Sequence, residues 1–239
     1  LRHFFHLFTP YLEEKRGVVY YERLVASSVL IVGERKMGQR LKENLHACGM
    51  EKISFEEMPP DCKNKQDICL WLQKIVDKPN LVVVCGGERS FGFFLTANEV
   101  LWQEGIPVLY VQEDWTGGIV GPLVLPGETG CFQCYLERKQ VNKEYDSGYE
   151  LMKQKIGLSF SSTGFLPFHA WLGSLAVTEV VKFLSRYLYP ETLKGVFLVD
   201  AVNYRVSFHP VLKSPYCPVC GYVDRIPPQR VWLEDANGV

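Results

Sequence analysis

Two rhythms of apolar and polar positions alternate through the first half of the chain. Val29 to Val32 is an unbroken apolar run closed by Gly33, and Met37, Leu41, Leu45 and Cys48 then recur at helical spacing before Gly49 ends the element. The pattern repeats. "KISFEE" reads as a second strand, "QDICLWLQKIV" as a helix, "NLVVVCGG" as a third strand buried on both faces, "FGFFLTANEVLWQEG" as a helix stopped by Gly105, and "IPVLYVQE" as a fourth strand. Strands and helices alternating at this spacing predict a mostly parallel sheet with right-handed crossovers, a Rossmann-like α/β fold.

From Gly117 the rhythm changes. "GGIVGPLVLPGETG" is a glycine-punctuated extended segment and "CYLERKQV" a short helix. Asn142 to Ser162 is charged without a strong period, which predicts a mobile crossover loop. "LPFHAWLGSLAVTEVVKFLSRYL" is a long helix with Trp171, Leu175, Thr178 and Phe183 among its inward positions, and "GVFLVDAVNYRVSFHP" a hairpin turning near Val202 and Asn203. That hairpin supplies a C-terminal antiparallel extension. Residues 1–27, aromatic and charged, read as an N-terminal helical arm packed on a body spanning 28–239, with no internal repeat.

Composition narrows the function. A formal net charge of -1 leaves no basic excess for a nucleic-acid or membrane-surface partner. The longest apolar runs are too short to cross a bilayer, and no secretory signal pattern is present at the start. The chain begins at Leu1, which leaves room for an upstream module. Of eight cysteines, four form two Cys-x-x-Cys pairs, a usage that favours metal and a reducing compartment.

Those pairs are the strongest chemical signal. Cys131 and Cys134 in "TGCFQCYLERK" and Cys217 and Cys220 in "SPYCPVCGY" supply four thiolates, the closed tetrahedral shell of structural zinc. The second constellation is "VLIVGERKMGQRL", the frame of a nucleotide-binding strand-turn-helix. Gly33 and Gly38 remain, but Arg35 and Lys36 would put Cβ atoms and long side chains where phosphate oxygens lie, so ordinary nucleotide binding is expected to be lost. In "VVVCGGERS" Cys85 stands where a carboxylate would hold magnesium, with Glu88 the nearest acid, and a solvated strand end is the preferred reading. Glu56 and Glu57 remain as acids able to take a ribose hydroxyl. His3, His6, His46, His169 and His209 show no partner spacing, and Cys48, Cys62, Cys69 and Cys85 read as small buried hydrophobes.

The order of parts resembles the ThiF-like and ubiquitin-activating-enzyme-like adenylyltransferase superfamily. The residues that carry the likeness are "ERLVASSVLIVG", "EGIPVLYVQ", "VLPGETGCFQC", "LGSLAVTEVVKFL" and "YCPVCG". The resemblance implies two further loop glycines at the positions of Arg35 and Lys36 and a magnesium aspartate near Cys85 or Glu88, and this chain departs at both. Within that superfamily, "GPLVLPGETGCFQCYLERK" is most similar to the ThiF-like proteins of azoline-forming ribosomal peptide biosynthesis. That resemblance implies a bacterial, cytoplasmic, non-catalytic subunit. It would bind a precursor's leader peptide and partner a YcaO-type cyclodehydratase, and the frequent pairing of superfamily members implies a homodimer. The alternative is an active ATP-dependent adenylyltransferase acting on a peptide or carrier-protein C-terminal carboxylate.

Overall fold

A computed structural model of the protein describes residues 5, 14–59, 65–87, 90–114, 117–141 and 166–221. In chain order these give α1 (Glu14–Ala26), β1 (Val29–Gly33), α2 (Arg35–Ala47), β2 (Ile53–Glu57), α3 (Lys65–Ile75), β3 (Leu81–Gly86), α4 (Phe91–Gln103), β4 (Val108–Glu113) and β5 (Gly117–Val124). Then come α5 (Phe132–Val141), α6 (Leu166–Ser185), a short 3-10 turn at Glu191–Leu193, β6 (Gly195–Asp200) and β7 (Arg205–Pro210). The strands form one seven-stranded sheet in the order β2-β1-β3-β4-β5-β6-β7. Its first four strands are parallel and the rest antiparallel, as the alternating and hairpin patterns predict.

Every residue of β1, β3 and β4 is buried because helices cover both faces. Leu30, Val32, Val82 and Val84 pack with Leu72 of α3, Phe94 of α4 and Phe132 of α5. Their sequence neighbours Ile31 and Val83, with Val111 of β4, lie on the other face and pack with Leu24 of α1, Leu41 of α2 and Leu172 of α6. Each fully buried Val or Leu contributes roughly 1.5–3 kcal/mol. An uninterrupted apolar run is therefore what a strand covered on both faces requires.

The extended segment after Gly117 is a full interior strand. Its proline, Pro122, lies where the β4–β5 register shifts between Leu109 and Val111, a place where a missing N–H costs the ladder little. The inward face of α6 differs from expectation: Thr178 is exposed and Trp171 and Leu175 are half-buried, whereas Leu172, Gly173, Ala176, Val180 and Phe183 are buried. A Cβ at Gly173 would stand 3.7 Å from Met37 Sδ and 3.8 Å from Arg40 Cδ, so α6 meets α2 at this glycine.

The arm is helical over Glu14–Ala26, and Phe5 meets Tyr187 edge-on at 5.3 Å beyond the end of α6. The segment Asn142 to Ser162 lies outside the described residues, as do His3, His6, Cys62 and Glu88. Among the described residues no helix is long and apolar enough to cross a membrane.

Candidate functional site

The strand order 2-1-3-4 reverses direction between β1 and β3, and open α/β sheets bind ligands in the crevice at such a switch point, beyond the carboxyl ends of the strands. Gly33 ends β1 there with φ +138, and a Cβ on it would fall 1.7 Å from the Cys85 carbonyl oxygen. Gly38, in the first turn of α2, faces β2, and a Cβ on it would fall 2.1 Å from the Phe55 ring. Both surviving loop glycines are thus required by contacts inside the fold, whether or not a phosphate ever enters.

The turn between them differs from the steric plug that the side-chain sizes suggest. Helix α2 begins at Arg35, so neither Arg35 nor Lys36 carries a left-handed backbone, and both are exposed. Arg35 swings to the end of β2, where its Nε donates to Glu57 Oε2 at 2.8 Å. Glu57, one of the two acids able to take a ribose hydroxyl, therefore has an internal cation. Glu34 is the residue that turns inward. Its Oε1 accepts the Gly87 N–H at 3.0 Å and the Ser90 hydroxyl at 3.2 Å. The end of β3 is also not a solvated strand end, since Cys85, Gly86 and Gly87 are buried.

Behind this turn lies a pair that sequence spacing does not reveal. His169, in the first turn of α6, places Nδ1 2.7 Å from Oε1 of Glu113 at the end of β4, with side chains 10% and 5% exposed. Burial pushes the Glu113 carboxyl up and the Glu34 charge adds to the shift, while hydrogen bonding and charge from His169, and the charge of Lys36, oppose it. Burial likewise pushes the Cys85 thiol far above its ordinary range, reinforced by Glu113 and Glu34, so it behaves as a neutral apolar group. Because the folded-state pKa of Glu113 is raised, the stability conferred by its neutral form is complete below the ordinary carboxylate value and is lost as pH climbs through the raised one. Glu113→Gln is expected to flatten that decline. Thermal midpoints of variant and parent between about pH 4 and about pH 8 check it, and parallel curves would refute it.

The four cysteines of the two Cys-x-x-Cys pairs converge on the far side of the sheet, all buried, with sulfurs within 4.8 Å of one another. Cys131 Sγ lies 3.6 Å from Cys217 Sγ and Cys134 Sγ 3.3 Å from Cys220 Sγ, with no disulfide among them. A tetrahedral shell with metal–sulfur bonds of about 2.3 Å has its sulfurs about 3.8 Å apart, so the cluster fits a metal ion. Local structure explains the fit. Cys131 and Cys134 flank the first residues of α5, and the Ser214 N–H donates to Cys134 Sγ at 3.4 Å. Gly221 permits the second knuckle, since a Cβ there would fall 2.5 Å from the Pro215 carbonyl oxygen and 2.6 Å from the Cys217 nitrogen.

Fold and cluster together define a Rossmann-like, mostly parallel α/β domain that carries a four-cysteine cluster. No protein-family model matches the chain, and no curated protein matches it. Solved structures do match. E. coli MccB superposes with a TM-score of 0.68 at 19% identity, over 88% of this chain and 69% of that one. The microcin C7 biosynthetic enzyme MccB in complex with N-formylated MccA gives 0.67 at 19%, over 86% and 70%. The heterocyclase TruD gives 0.65 at 20% identity, covering 86% of this chain and 29% of that one.

Proposed function

We propose that the chain is a non-catalytic recognition or scaffold subunit in the maturation of ribosomally made peptides. In this reading it binds a precursor peptide, a YcaO-type cyclodehydratase, or both, during azoline formation in the cytoplasm, and its cysteine cluster holds a structural zinc. Four thiolates leave a tetrahedral metal no open position for substrate, which suits bracing rather than catalysis. The likeness of fold to MccB, solved with the peptide MccA, and to a heterocyclase supports a place in peptide maturation.

One observation carries the non-catalytic part. In a dinucleotide-binding turn the first glycine serves the tight turn, the second lets the backbone approach the pyrophosphate, and the third packs helix on strand. Gly33 and Gly38 fill the first and third roles through Cys85 and Phe55, while the second position carries Arg35. The glycines that the fold needs are present, and the one that only a ligand needs is absent. The rival is an ATP-dependent adenylyltransferase, and MccB has been solved with ATP. Purified protein is expected to show no exchange of labelled pyrophosphate into ATP with any candidate peptide carboxylate. Exchange above the no-enzyme background would establish the rival.

A further inference from the structure

The glycines that cradle an anion in this protein lie across the crevice from the β1 loop, at the end of β3. A Cβ on Gly86 would fall 2.6 Å from Ser90 Oγ, and one on Gly87 3.4 Å from Glu34 Oε1. Without those Cβ atoms the Gly87 N–H and the Ser90 hydroxyl converge on a single oxygen, Oε1 of Glu34, at 3.0 and 3.2 Å. Ser90 is the N-cap of the 13-residue helix α4, yet its hydroxyl makes no capping bond and is directed to Glu34 instead. One oxygen with two donors at the positive end of a helix is the setting that α/β proteins offer to a phosphate oxygen. Here the anion belongs to the chain itself.

The backbone holds it in place. The Glu34 N–H donates to the Cys85 carbonyl at 3.1 Å, so the residue is clamped to β3 by main chain and side chain together. It spans the β1–β3 gap, the switch point of the sheet. An entering phosphate would have to displace a tethered carboxylate whose effective concentration is high. It would also meet the like charge of Glu34.

We propose that Glu34 is the residue that shuts the switch-point crevice to phosphate-bearing ligands, its carboxylate standing as an internal anion on the donors a phosphate oxygen would use. The inference rests on the reading of the chain as a protein that does not use nucleotide, and it names the side chain responsible. The probe is inorganic pyrophosphate, titrated calorimetrically into the parent protein, Glu34→Ala, Glu34→Gln and the double variant Glu34→Ala/Ser90→Ala. Glu34→Ala is expected to bind pyrophosphate roughly tenfold or more tightly than the parent, the gain of about 1.4 kcal/mol that removing one close like charge supplies. Glu34→Gln, which keeps the shape without the charge, is expected to gain less, and the double variant to lose most of the gain. If Glu34→Ala does not fold, Glu34→Gln decides alone by binding tighter than the parent or not. Folded Glu34 variants no tighter than the parent overturn the proposal, as does a parent that already binds as tightly as they do. Pyrophosphate exchange into ATP by the parent would instead remove the non-catalytic reading, so the two failures are told apart.

Discussion

Chelating the metal under reducing conditions is expected to lower the thermal midpoint by about 10 °C or more, and Cys217→Ser to do the same without a chelator. Cys131 and Cys134 sit at the start of α5, whereas Cys217 and Cys220 follow β7, so one ion would tie two segments 86 residues apart in sequence. A site assembled only in the folded chain turns its binding energy into folding energy. Losing about 4 kcal/mol of it shifts the midpoint of a domain of this size by roughly 8–16 °C. The four thiols are also packed with Val211, Tyr135 and Leu136 in the apolar core, so a departed ion leaves buried sulfurs crowded without a partner. Cys48→Ser, at a half-buried thiol outside the cluster, is the control and should move the midpoint little. Protein verified to be metal-free with an unchanged midpoint would refute a structural ion.

Gly33→Ala is expected to cost about 3–5 kcal/mol, enough to leave much of the protein insoluble or to drop its midpoint by roughly 10 °C. The added methyl would lie 1.7 Å from the Cys85 carbonyl oxygen and 2.8 Å from its carbon, both backbone atoms of the neighbouring strand β3. At φ +138 the residue is also in a region that side chains avoid. Relief would require separating β1 from β3, the seam at the centre of the parallel sheet. Gly38→Ala should cost distinctly less, because its clash is with the half-buried Phe55 ring, which can turn. Urea unfolding of both variants measures the difference. Equal and small losses would show that the β1 turn tolerates a Cβ and that Gly33 is there for a ligand after all.

The contrast between Glu34 and Arg35 shows where a linear pattern stops being informative. Both are charged residues in a short turn after a buried strand, and size alone singled out Arg35, with Lys36, as the obstruction. In three dimensions Arg35 opens the first turn of α2 and reaches outward to Glu57, while Glu34, one residue earlier and still extended, points across to Gly87 and Ser90. The same holds for His169 and Glu113, which lie far apart in the chain and carry no mutual spacing signal. Only the docking of α6 on the end of β4 brings them within 2.7 Å. A hint was present in each case, an acid closing the strand "LYVQE" and a histidine within the apolar opening of a helix, but neither names its partner.

What the sequence determined by itself is what repeats or is spaced locally. Unbroken apolar runs set the parallel strands and apolar periods of three to four set the helices, because each element must bury one face or both whatever its neighbours are. The two Cys-x-x-Cys pairs announced a cluster able to hold a metal because two residues of separation suffice to place thiols on one knuckle. Tertiary structure alone decided which turn residue faces the crevice, which anion sits on the donors at the end of β3, and which residues of α6 lie against α2. Those outcomes depend on atoms brought together from distant parts of the chain at distances of about 3 Å, a scale that the period of a single helix or strand does not encode.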